Sequence, residues 1–177
     1  MALTQLNNQS LIAVSALPAG LDTGKVLQVQ STTKTDTFST SSLLTDIPGL
    51  SVTITPASTS SKILVMVQCM ITGTNAGLIL QLIRDSTAIY QGDAAGSRRQ
   101  GSMVGLYDSS SGTGAYSAGA NHFHFVDSPS TTNATTYKVQ GGVIGSSTMY
   151  IGRTQYDGDN ENAARVPSTI TVMEIAS

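Results

Sequence analysis

From Lys62 to Thr72 the chain reads KILVMVQCMIT. Successive side chains of a strand point to opposite faces. Ile63, Val65, Val67, Cys69 and Ile71 then make one apolar face, and Leu64, Met66 and Met70 make most of the other apolar too. A strand apolar on both sides needs cover on both. Helices could supply it, but no segment sustains a 3.6-residue apolar repeat of useful length. One face therefore belongs to a core. For the other, the remaining cover is a sister subunit, so Leu64, Met66 and Met70 are expected at a subunit interface.

The other strand signals are short and recur between Pro, Gly, Ser, Asn and Asp. They fall at 25–31, 35–41, 50–55, 77–85, 87–92, 122–127, 135–141, 147–154 and 168–176. Several alternate with period two: Val52 and Ile54 oppose Ser51, Thr53 and Thr55, and Tyr137 and Val139 oppose Thr136, Lys138 and Gln140. That pattern puts one face in a core and one in water. The expected fold is all-β: an antiparallel β-sandwich, jelly-roll-like, of roughly 8–10 strands. It is read as a single domain over 25–177. Residues 1–24 carry scattered aliphatics, among them Leu3, Leu6, Leu11 and Ile12, and end in the turn LPAG. They are expected to form an extended N-terminal arm for attachment or subunit contact.

Two windows resemble each other: 53-TITPASTSSKILVMV-67 and 126-VDSPSTTNATTYKVQG-141. Pro56 and Pro129 lack an N–H and cannot sit inside a central ladder, so each marks a strand end. The hydroxyl residues after them favour turns. Lys62 and Lys138 follow, where a charge suits a rim or edge and discourages strand-to-strand aggregation. The windows are read as equivalent hairpin corners in the two halves of the sandwich.

Composition excludes several classes. Charged residues are 11% of the 177, with nine basic and eleven acidic, which argues against the clustered basic face that nucleic acid needs. Cys69 stands alone and no intrachain disulfide exists. The N-terminus lacks the basic region of a signal peptide, and no apolar run approaches the ~20 residues of a membrane span. Neither secretion nor membrane insertion is expected.

Catalytic motifs fail on inspection. The segment 20-GLDTGKV-26 has three residues between its glycines and a valine after the lysine, where a phosphate loop needs four and a hydroxyl. No G-x-S-x-G occurs, and both histidines lie together in 122-HFHF-125. The chain is read as no enzyme, with no cofactor. On a strand His122 and His124 share one face while Phe123 and Phe125 share the other. Two solvent-facing histidines is the favoured reading; a metal ion held on a trimer axis is the alternative. The acidic stretch 157-DGDNENAAR-165 lacks the glycine and terminal acid of a calcium loop and reads as a polar hairpin tip. The glycine-dense segment 92–120 is longer than ordinary connections. Its Arg98, Arg99, Tyr107 and Tyr116 are candidate contacts for a ligand or receptor, against the simpler reading of a solvated loop.

The ordered segments 25-KVLQVQS, 36-DTFSTSS, 49-GLSVTITPASTSSKILV, 86-STAIYQGDAAGSRRQ, 126-VDSPSTTNATTYKVQ and 168-STITVMEIA carry a further likeness. From about residue 17 to the end the chain resembles a family of bacteriophage structural proteins, common in phages of aquatic bacteria and described as tail-fibre or virion-surface proteins. The resemblance implies a compact, trimeric β-sandwich knob on the surface of a phage particle, assembled in the host cytoplasm beside other virion proteins. Larger fibres of that family look like this domain placed after a long shaft; here about two dozen N-terminal residues stand in the shaft's place. A head decoration or short fibre is expected first, and a tail-fibre knob recognising a host-surface glycan second.

Overall fold

A computed structural model describes residues 24–74, 77–105 and 119–177. Among these are eleven strands and no helix: β1 (Val26–Lys34), β2 (Phe38–Thr40), β3 (Thr45–Ile54), β4 (Lys62–Gly73), β5 (Leu78–Arg84), β6 (Thr87–Ile89), β7 (Met103–Val104), β8 (Gly119–Asp127), β9 (Thr135–Val143), β10 (Met149–Ile151) and β11 (Ser168–Ile175). Every expected strand has a counterpart. β7 was not expected, and β3 begins five residues earlier than the alternating segment that starts at Leu50. Pro48 and Gly49 lie inside β3, where the register against β9 shifts between Asp46 and Ser51. An irregularity of that kind tolerates a proline because no ladder N–H is needed there.

The strands form two antiparallel sheets. Sheet A runs β1–β11–β4, with β8 on the other side of β4 and β10 and β2 extending its far end. Sheet B runs β3–β9–β5, with β6 and β7 completing the far edge. The pairings are nested: β1 with β11, β3 with β9, β4 with β8, and β5 with β6. The chain is thus one long hairpin rolled up so that its arms alternate between two sheets, which is the jelly-roll arrangement.

This explains the two similar windows. Residues 55–61 join β3 to β4 and residues 128–134 join β8 to β9, so both carry the chain from sheet B to sheet A or back. They lie at the same level of the rolled hairpin, one on each arm, and Lys62 Nζ donates to Ser128 Oγ between them at 2.8 Å. They are inter-sheet corners and not hairpin turns within a sheet. The expectation of a rim holds for Lys62, the first residue of β4. It does not hold for Lys138, because β9 is flanked on both sides by β3 and β5; there the ammonium pairs with Asp46 at 2.8 Å on the outer face.

The core lies between the sheets. Ile63, Val65, Val67, Cys69 and Ile71 of β4 meet Leu78, Leu80 and Leu82 of β5, all at most 2% exposed. Burying each such aliphatic contributes about 1.5–3 kcal/mol, which fixes which face of β4 points inward. Around Tyr90, which has a positive φ of 53°, the chain turns so that its ring stacks on Phe123 and Phe125 at 5.8 and 5.0 Å between centroids. The inward Phe pair of β8 is closed off by that ring.

Candidate functional site

The unusual surface is the outer face of sheet A. Registers place Val29, Met173, Leu64 and Val126 in one row across β1, β11, β4 and β8. The next rows are Ser31, Thr171, Met66, His124 and Thr33, Thr169, Gln68, His122. None of these twelve residues is Lys, Arg, Asp or Glu. The four strands do hold four such residues, and three of them, Lys34, Asp127 and Glu174, are buried on the inner side. The fourth, Lys62, is exposed at the end of β4, at the rim of this same outer side beyond Leu64. A sheet facing water ordinarily has the reverse arrangement.

Val29 is 50% and Val126 51% exposed, while Leu64 and Met66 are half-buried and line an open groove of about 410 Å³ with His122, His124 and Thr171. Met70, the third residue expected at an interface, is also half-buried and lies further along the same side of β4. The structure therefore brings Leu64, Met66 and Met70 onto one outward face, beside both histidines. The hydroxyls hold the polar part of that face together: Ser31 Oγ and Thr171 Oγ1 are 2.8 Å apart.

His122 and His124 are exposed and on one face of β8, opposite buried Phe123 and half-buried Phe125. Among the described residues no group of three His, Cys, Asp or Glu side chains comes together in a way that could hold a metal ion. A metal on this pair would need ligands from elsewhere.

Arg98 and Arg99 are exposed in the loop after β6, beside a second depression of about 340 Å³ lined by Leu44, Gln81, Gln91 and Gln100. Tyr107 and Tyr116, and the arm residues Leu3, Leu6, Leu11 and Ile12, lie outside the described residues. The stretch 157–165 is a polar tip around a depression of about 390 Å³: Arg165 grips Asp157 through two hydrogen bonds of 3.1 and 2.9 Å, and Arg153 approaches the same carboxylate at 3.8 Å.

Besides Lys34, sequence reasoning missed the inward-facing charges Arg84, Asp127 and Glu174. Arg84 donates twice to Asp127 at 2.9 Å, and Tyr137 donates to the same carboxylate, tying the end of β5 and β9 in sheet B to the end of β8 in sheet A. Burial, reinforced by the hydrogen bond and charge of Asp127, pushes the Tyr137 phenol far above its usual range. Glu174 accepts from the Ala57 N–H at 2.7 Å and from Gln28 Nε2. Desolvation raises its carboxyl, but donors on Gln28, Ser61, Ala57 and Ser58 outweigh that and hold it below the usual range. It anchors the Pro56 corner. The readable signal was alternation: Glu174 falls on the same side of β11 as Ile170 and Val172, and an inward carboxylate requires donors.

No protein-family model matches the chain, and no curated protein matches it. Among solved structures the chain is similar to one titled "Structure of infectious bursal disease virus Gx strain", at 15% identity and a TM-score of 0.37. The match covers 84% of this chain and 38% of that chain. A likeness that distant assigns neither family nor role.

Proposed function

We propose that the chain is a non-enzymatic structural protein of a bacteriophage virion, a surface knob that associates with copies of itself through the outer face of sheet A. The observation that carries this reading is the inverted charge pattern of β1, β11, β4 and β8, whose charged residues point inward or to the rim while a row of valine, methionine and leucine faces out. Four strands about 4.8 Å apart and about nine residues long span roughly 20 by 30 Å, about 600 Å² in projection. That is the order of the about 800 Å² each partner contributes to a standard interface. A second copy of the same face, uncharged except for Lys62 at its rim and similarly ribbed, is the occupant that matches it.

The family likeness adds the particle, the trimer as the closed form, and the arm 1–24 as the attachment to other virion proteins. In this reading the knob is a head decoration or short fibre, assembled in the host cytoplasm and displayed on the particle surface. Antibody labelling of intact particles tests it, together with deletion of the coding region. Labelled heads or tails and particles that fall apart more readily are expected; particles that never contain the protein contradict the reading. A second reading, a tail-fibre knob that binds a host-surface glycan, draws on Arg98 and Arg99.

A further inference from the structure

The chain has five arginines. Arg84 pairs with Asp127, and Arg153 and Arg165 with Asp157. Arg98 and Arg99 are the exceptions: among the described residues neither meets a carboxylate, and Arg98 reaches only the backbone carbonyl of Ala95 at 3.3 Å. Two adjacent guanidinium groups repel each other, and among the described residues the nearby depression offers them no neutralising acid. Its polar lining consists of the side-chain amides of Gln81, Gln91 and Gln100 with Ser97.

The surrounding loop is held in place. Gly92 N–H donates to Gly101 O at 3.3 Å, Gln100 Nε2 to Gly92 O at 2.8 Å, and Gln81 Nε2 to Gln100 O at 3.0 Å. Further on, Ser102 N–H donates to Leu80 O at 2.8 Å while Ser102 Oγ accepts from Leu82 N–H at 2.9 Å. The arginines therefore project from a loop whose two ends are fixed to β5 and to each other, so a ligand has the two side chains to order but not those ends of the loop.

We infer that this depression binds an acidic saccharide. Guanidinium groups match a carboxylate in geometry and charge. Amides both donate and accept, as ring hydroxyls require. Leu44 supplies a small apolar surface for a sugar's C–H face. The volume lies at the low end of the ~300–1,000 Å³ of small-molecule sites, so a short stretch of a chain fills it. The site belongs to sheet B and its loop. It deepens the glycan-binding reading and is independent of self-association through sheet A.

Calorimetric titration of the full chain tests it, with three probes: a short hexuronate oligosaccharide, a neutral hexose oligosaccharide of equal length, and inorganic phosphate. Binding of the hexuronate is expected, weakening with salt, with at least tenfold weaker binding of both other probes. Arg98→Ala with Arg99→Ala should weaken hexuronate binding at least tenfold. Lys25→Ala with Lys62→Ala, which removes equal charge elsewhere, should leave it within twofold. All four side chains are exposed, so circular dichroism should show every variant folded. Absence of hexuronate binding, equal binding of the neutral sugar or of phosphate, or equal loss in both double variants overturns the assignment. Failure here leaves the oligomeric state of the chain unaffected.

Discussion

The phenol of Tyr137 donates to Asp127 Oδ2 at 2.6 Å across the interior of the sandwich, joining β9 of sheet B to β8 of sheet A. Both groups are buried, and Arg84 completes the charge balance from the end of β5. The clamp sits where the chain crosses between sheets, so it holds the two sheets together where the backbone turns away from them.

Tyr137→Phe should lower stability by about 1–2 kcal/mol, because Asp127 keeps Arg84 but loses a short buried donor. The pH dependence is more telling. Folding keeps the phenol neutral above its ordinary value of 10.0. Its contribution is therefore complete below about pH 10 and declines above it, by up to ~1.4 kcal/mol per pH unit, as only the unfolded chain ionises. Urea denaturation from pH 8 to 11.5 should show that decline in the wild type and a flatter curve in Tyr137→Phe.

Glu174→Gln should cost about 1–3 kcal/mol at neutral pH, since the charged acceptor at the Pro56 corner is replaced by a neutral amide. The depressed carboxyl stabilises the fold fully above its ordinary value of 4.5 and loses that contribution as pH falls through its lower folded value. The difference between wild type and variant should therefore narrow below about pH 4.5, as read by thermal unfolding in a pH series.

Gly142→Ala should be among the most damaging single substitutions. A Cβ built there lies 1.6 Å from the carbonyl oxygen of Leu43, a backbone atom fixed where Val143 N–H donates to Ser42 O at 3.0 Å. A loss of about 3 kcal/mol or more is expected. Gly145→Ala separates contact from conformation: its φ is +79° but nothing lies within 4 Å of the added carbon, so the cost should be about 1 kcal/mol. Melting temperatures of the two variants should differ accordingly.

Cys69 is fully buried, and burial pushes its thiol up to about 11 against a relieving hydrogen bond with Ser168. A disulfide reagent at pH 8 should leave it unmodified in the folded protein and titrate one thiol per chain after denaturation.

Much of this fold was legible because its strands announce themselves. Alternation at Val52–Ile54 and Tyr137–Val139 put the right side chains inward, and the double-sided run at 62–72 marked β4, a central strand with β11 and β10 on one side and β8 on the other. The start of β3 was hidden by Pro48, which argues against a strand unless an irregular register is known. β7 is two residues long and exists only because β5 lies beside it, so no local pattern encodes it. The clamp of Arg84, Asp127 and Tyr137 was out of reach for a different reason. Its members are 43 and 10 residues apart from Asp127 and meet only once the hairpin is rolled. The outer face was half legible: Leu64, Met66 and Met70 came from periodicity, but the row that continues through Val29, Met173 and Val126 is a property of register.

The mass of the protein in solution tests the central proposal most directly. Val29 and Val126 are exposed in the single chain, so Val29→Lys with Val126→Lys should leave the fold and its melting temperature intact while placing charge across the outer face of sheet A. Light scattering at micromolar concentration should give a multiple of the 18.3 kDa chain for the wild type and a single chain for the double variant. A wild type that stays at 18.3 kDa, or a double variant that assembles as the wild type does, would contradict self-association through this face.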